Sequence, residues 1–225
     1  EVTKILKEQI KQFGDKAPQV LALQRINFHS TLLRILGFDF IAPLITSKPY
    51  TMFQNSGEIL SSDVSDYEDA PINLVKIDNS TLKFSHIKWM EQNSEWLWYL
   101  MGKGEGRDFR IAMEFLQSRV FSPEPRYRIA SSWIGIESLV KPPHHGMGKN
   151  LIYRISSILE EEEDRVRDLW YSGRCKAIHG LPMSEKSIRK SDKQSHALFC
   201  RLIQKFVEDR IIPNKEYLDQ TYPPI

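Results

Sequence analysis

From about residue 86 to residue 212 the chain keeps returning to one pattern: apolar residues three and four positions apart, in stretches of a few turns cut by proline or glycine. That interval is the period of an amphipathic helix, and each such helix must bury its apolar stripe against another. The stretches "IKWMEQNSEWLWYLM" and "DFRIAMEFLQSRVF" are separated by "GKGEG". Pro123 and Pro125 break the chain before "RYRIASSWIGIESLV", which stops at the prolines of "KPPHHGMGK". In "NLIYRISSIL", Leu151, Ile152, Ile155, Ile158 and Leu159 share a face. The acidic run "EEEED" then stands where carboxylates complement the positive end of a helix dipole. The helix it opens carries Val166, Leu169, Trp170, Gly173 and Ala177 and closes at Gly180. A polar, basic loop is expected next, followed by a last helix over "HALFCRLIQKFVEDRII". Residues 86–225 therefore read as an all-α bundle of roughly six helices, and the chain as mainly α.

Residues 1–85 read differently, as an accessory region. Helical material in "VTKILKEQIKQF" and "ALQRINFHSTLLRILGF" ends at Gly37. "FDFIAPLITSKPYTMF" is apolar but interrupted by prolines, and "SGEILSSDVSDYEDAP" is polar and acidic. "INLVKIDNSTLKF" has the form of two short strands around an Asp-Asn-Ser turn, so minor β content is expected here. These 85 residues are expected to sense, regulate or recognise, or simply to pack on the bundle.

Composition removes several classes. Hydrophobic residues at 41% and five tryptophans favour a packed globule over disorder. No apolar run approaches the roughly 18 residues of a membrane span, and nothing at the start has signal-peptide shape. The chain opens on Glu1 rather than Met, which weakens any reading of location from a missing signal. The two cysteines, Cys175 and Cys200, lie inside expected helices and suit a reducing, cytoplasmic compartment. A net charge of +2 announces neither nucleic acid nor membrane by itself. His144 and His145 are adjacent and lack further ligands, and "GMGK" lacks P-loop spacing, so neither a metal nor a cofactor is expected.

The run with most chemical content is "WYSGRCKAIHG", residues 170–180. On an ideal helix Arg174 and His179 would differ by roughly 140° around the axis and about 7.5 Å along it. One helix would not aim both at one point, but two symmetry-related copies could. A crossing near Gly173, where no side chain intervenes, would pool two Arg–His pairs in one cleft. Arginine matches phosphate oxygens and stabilises charge building on phosphorus; histidine exchanges protons near neutral pH. RNA brings its own nucleophile, the 2′-hydroxyl. The plainer alternatives are a salt bridge for Arg174 and a helix C-terminal cap for His179. Arg189 and His196 offer a second Arg–His spacing, but they begin in a polar stretch.

The ordered set "FRIAMEFLQSRVFSPEPRYRIASSWIGIESLV", "LIYRISSIL" and "DLWYSGRCKAIHG" resembles the HEPN superfamily (higher eukaryotes and prokaryotes nucleotide-binding), most closely its Apea-like branch. "WIGIESLV" is similar to the family's Trp-x-x-x-Glu-x-Leu helix and "RCKAIHG" to its Arg-x4-His-Gly signature. The resemblance covers somewhat over half the chain. It implies an antiparallel helical bundle that dimerises and places Arg174 and His179, as catalytic residues, at the dimer cleft. It also implies a metal-independent endoribonuclease acting in phage defence, a toxin–antitoxin pair or RNA processing, or a member that has lost activity and binds RNA, a nucleotide or a partner protein. One position departs from the pattern: active members often carry Asn, Asp or His after the arginine, and here Cys175 follows it.

Glu137 shares a helical face with Ile129 and Trp133, so its carboxylate needs a partner. Arg154, between Leu151 and Ile158, is the expected one, leaving Arg174 free; in the alternative Glu137 orients Arg174. Lys186, Arg189, Lys190 and Lys193 could hold an RNA backbone or belong to a solvated loop. Tyr171 could stack on a base or pack in the core. The expected partners are RNA, a second copy of the chain and an antitoxin or regulatory protein, with no membrane.

Overall fold

A computed structural model describes residue 11 and residues 17–38, 44–46, 64–66, 81–102 and 106–225. Eight helices make up most of this. In chain order they are α1 (Ala17–Ile35), α2 (Phe84–Gly102), α3 (Arg107–Phe121), α4 (Pro125–Val140), α5 (Met147–Leu159), α6, α7 (Glu185–Glu208) and α8 (Lys215–Thr221). Helix α6 is continuous but changes character along its length. It is α-helical over Glu163–Asp168, π-helical over Leu169–Cys175, and α-helical again over Lys176–Ile178. No helix among the described residues is long and apolar enough to cross a membrane. Two three-residue strands, β1 (Leu44–Thr46) and β2 (Val64–Asp66), pair antiparallel with Ile45 opposite Ser65.

Most of the strand pair expected over residues 72–84 falls outside the described residues. Residues 72–80 lie outside the described residues, while Thr81–Lys83 are irregular and Phe84 already opens α2. The Lys83 amide donates to His86 Nδ1 at 3.1 Å, a local bond that starts the helix and competes with any strand ladder.

Helix α4 is the centre of the assembly. Pro125 stands in its first turn, where a missing N–H costs no helical bond. Ile129, Trp133, Ile136, Leu139 and Val140 are all fully buried. Along α7 it makes successive contacts: Arg128 with Asp192, the Trp133 indole N–H with Ser195 Oγ at 3.0 Å, and Gly135 against the ring of Phe199. An added Cβ at Gly135 would lie 2.2 Å from Phe199 Cζ, so glycine is what lets the two helices approach. Helix α3 docks alongside, with Phe109, Ala112, Met113 and Leu116 in the same core. Helix α1 adds Phe28, Leu32 and Ile35 to that cluster, and α2 adds Leu97 and Leu100. Polar contacts tie α1 down as well: Gln204 donates to the Ile35 carbonyl at 2.8 Å, and Gln117 to Thr31 Oγ1 at 2.8 Å.

Arg154 overturns the pairing expected for it. Its side chain is fully buried, yet its partner is Asp219 of α8, not Glu137. The same guanidinium donates to the carbonyls of Val140 (3.1 Å), Lys141 (2.6 Å) and Tyr222 (3.1 Å). It closes the C-terminal end of α4, where Lys141 adopts φ 47 and the carbonyls have no helical donor. A planar fork with five N–H groups fits several carbonyls and one carboxylate at once, which a distant carboxylate alone would not satisfy.

A second correction concerns residues 184–195. Instead of a loop, the chain forms the first turns of α7, starting at Glu185 with Ser184 Oγ accepting the Ser187 N–H at 3.2 Å. The buried face of these turns is Ser191, Asp192 and Ser195 rather than apolar side chains. Asp192 accepts from Arg119 (3.1 Å) and from Arg128 Nε (2.9 Å), which makes its burial affordable.

Candidate functional site

The π segment of α6 builds the site. Its i→i+5 bonding widens the turn, so residues four apart nearly eclipse. Trp170 and Arg174 are such a pair, and the Arg174 guanidinium carbon lies 3.9 Å from the Trp170 ring centroid. Trp170 is buried edge-to-face against Trp133, with ring centroids 5.3 Å apart. Trp133 in turn is anchored through Ser195. The floor under Arg174 is therefore a rigid pair of indoles.

Glu137 fixes the guanidinium from the side. Arg174 Nε and Nη2 both donate to Glu137 Oε1, at 2.8 and 2.7 Å. This is the alternative in which Glu137 orients Arg174. The side chains are 16% and 21% exposed, so the pair sits at a surface seam rather than in the core. The remaining Arg174 N–H groups have no protein acceptor among the described residues, and a guanidinium with free N–H groups is chemically able to take an oxyanion.

His179 ends the helix. Gly180 follows with φ 65; its N–H bonds the Ala177 carbonyl at 3.4 Å and the Leu181 N–H bonds the Lys176 carbonyl at 3.0 Å. That is a Schellman closure with glycine at the left-handed position. The imidazole is exposed and has no hydrogen bond to any described residue. The capping role considered for the ring is thus taken by backbone groups, and the ring faces solvent.

The other expected residues divide. Tyr171 is 59% exposed, one turn before Arg174. Cys175 is half-buried and packs against the hydrophobic core. Lys186, Arg189, Lys190 and Lys193 are exposed on the first turns of α7, with Arg189 held by Glu185 at 2.6 Å. The second Arg–His spacing does not form a site, because His196 is buried while Arg189 is exposed and paired. Gly173 does not face outward, where a twofold mate would cross. It packs inside the chain, an added Cβ lying 3.4 Å from Ser191 Cβ and 3.9 Å from Ser195 Oγ.

Sequence reasoning missed two contributors. Trp170 carries the face under Arg174, and its only signal was a tryptophan four residues upstream. Arg126 donates from Nη1 to the Lys176 carbonyl (3.0 Å) and from Nη2 to the Leu181 carbonyl (2.8 Å), partners 50 and 55 residues away that no local pattern announces. The same elements also expose large apolar side chains: Tyr127 and Ile134 on α4, Ile178 on α6, and Leu181 just beyond.

Away from the seam, a cleft of about 250 Å³ lies between the end of α5 and α7, lined in part by Glu160, Arg201, Gln204 and Lys205. Its cations are engaged, Arg201 by Glu161 and Lys205 by Asp209. Comparison with protein-family models, curated proteins and solved structures finds no match to this chain.

Proposed function

We propose that this protein is a metal-independent endoribonuclease of HEPN type, acting as a homodimer with Arg174 and His179 of both protomers in a shared cleft. The observation that carries the reading is the state of the two side chains. Arg174 is immobilised on two sides with N–H groups still available, and His179 is held at a fixed helix end with its ring unengaged. Exposed Tyr127, Ile134, Ile178 and Leu181, on the elements that carry Glu137, Arg126 and His179, are apolar side chains that a second copy would cover. In the proposed reaction one imidazole takes the proton of the ribose 2′-hydroxyl as the O2′–P bond forms. The P–O5′ bond breaks, and an imidazolium returns a proton to the O5′ leaving group. Arg174 stabilises the charge building on the non-bridging oxygens. The products are a 2′,3′-cyclic phosphate and a 5′-hydroxyl. Exposed Lys186, Lys190 and Lys193 would hold the backbone, and Tyr171 a base.

Cys175 favours a second reading, a catalytically silent module binding RNA, a nucleotide or a partner protein, since the position after the arginine contributes packing rather than a polar group. Incubation with total RNA in excess EDTA separates the two. The nuclease reading expects fragments ending in cyclic phosphate, lost in Arg174→Ala and in His179→Ala. Intact RNA, or cleavage that survives both substitutions, refutes it.

A further inference from the structure

Helix α4 touches the site at both of its ends. Glu137 holds Arg174, and eleven residues earlier, about 16 Å along the same helix, Arg126 holds the turn that carries His179. The geometry of the second contact is specific. One N–H of Arg126 reaches the Lys176 carbonyl and another reaches the Leu181 carbonyl, so the fork straddles the closing turn, one bond before His179 and one after it. The Lys176 carbonyl thereby accepts twice, from Leu181 N–H and from Arg126. The His179 ring makes no hydrogen bond to a described residue, so it is placed by its backbone, which this turn holds together with the His179 N–H bond to the Cys175 carbonyl at 3.0 Å.

We propose that Arg126 is a positioning residue for His179, acting through the backbone of residues 176–181 and not by contact with substrate; this rests on the nuclease reading. Hydrogen bonds to a charged donor are stronger than neutral ones, and a planar fork can span two carbonyls at fixed separation. Lysine at the same position could reach one carbonyl but could not bridge both. Loss of the bridge frees the helix end to fray, and a displacement of about 1 Å in a proton-transfer group costs on the order of 100-fold in rate.

The test compares the full chain with Arg126→Ala, Arg126→Gln and Arg126→Lys, using Arg167→Ala, a surface residue of α6 outside the site, as the control. The first readout is independent of catalysis: the His179 ring signals in histidine-labelled protein, with hydrogen exchange at the Leu181 amide. The proposal expects Arg126→Ala to shift and broaden the His179 signals and to speed Leu181 exchange, while the His144 and His145 signals stay in place. The second readout is RNA cleavage, with kcat falling about 100-fold, KM within about twofold, and Arg126→Lys intermediate. If Arg126→Ala does not fold, Arg126→Gln and Arg126→Lys are read in its place. Unmoved His179 signals overturn the proposal even if cleavage falls. A raised KM with intact kcat and a shallower salt dependence also overturns it, since Arg126 would then be binding phosphate directly. Wild-type protein that cuts no RNA refutes the nuclease reading, and the spectroscopic arm then still decides whether Arg126 sets the His179 turn.

Discussion

Replacing Gly135 by alanine sets two effects against each other. In a helix interior alanine is favoured over glycine by about 1 kcal/mol, so a site with room would gain stability. Gly135 has no room. The added methyl would stand 2.2, 2.7 and 2.9 Å from Cζ, Cε1 and Cε2 of Phe199, whose ring is fully buried. Real contacts of this kind do not fall below 3.0 Å and are ordinary from 3.4 Å, so the ring or the helices must give way by about 0.8 Å at least and by about 1.2 Å to restore an ordinary contact. A shift of that size would stretch the Trp133–Ser195 and Arg128–Asp192 bonds that lie along the same helix pair. Overpacking of this kind costs about 1–3 kcal/mol, and a rigid aromatic neighbour places it at the upper end. The net expectation is destabilisation by about 2 kcal/mol, a fall in Tm of roughly 4–8 °C for a chain of this size. Thermal and urea unfolding followed by tryptophan fluorescence measure it. Adding Phe199→Leu should relieve part of the clash, giving a double variant more stable than the sum of the two losses predicts. Gly173→Ala is the contrast: its Cβ would meet Ser191 at 3.4 Å, an ordinary contact, and stability should change by less than about 1 kcal/mol. A Gly135→Ala protein as stable as wild type, or strict additivity with Phe199→Leu, would refute the close-approach reasoning.

Two further outcomes are expected. Asp192→Ala leaves Arg119 and Arg128 facing each other without their shared carboxylate, and unfolding should show a loss of about 3–5 kcal/mol; a loss under 1 kcal/mol would mean the network contributes little. Glu161 is held below its ordinary pKa of 4.5, chiefly by the hydrogen bond from Arg201. Its contribution to stability is then present above pH 4.5 and is lost as the pH falls through its lower folded-state value. The stability gap between wild type and Glu161→Gln should accordingly be constant from pH 7 to pH 5 and close on further acidification; a gap independent of pH down to 2 would contradict this.

The helices were legible wherever one face was apolar. The start of α7 was not, because its inward face is Ser191, Asp192 and Ser195, and polarity there reads as loop. The Ser184–Glu185 step was the local cue, a side-chain acceptor followed by an acidic first turn. Arg174 and His179 stood out by residue type, but their surroundings did not. The choice between Arg154 and Arg174 as the partner of Glu137 turned on Asp219, 65 residues from Arg154, and a carboxylate that distant leaves no trace in a helical wheel. Gly173 illustrates the converse. A missing side chain says that something comes close, and only the fold says that it is Ser191 of the same chain.

The widened turn at Leu169–Cys175 bears on how a motif of this kind is compared between chains. Bonding five residues back instead of four accommodates one residue more than a uniform spiral would. The offset builds across the segment and reaches roughly 100° beyond it, so counting positions from the acidic start of α6 misplaces His179 by about that much and Arg174, near the segment's end, by part of it. Two chains with the same letter spacing but no such insertion would present arginine to different neighbours, and a chain one letter shorter could present it to the same ones.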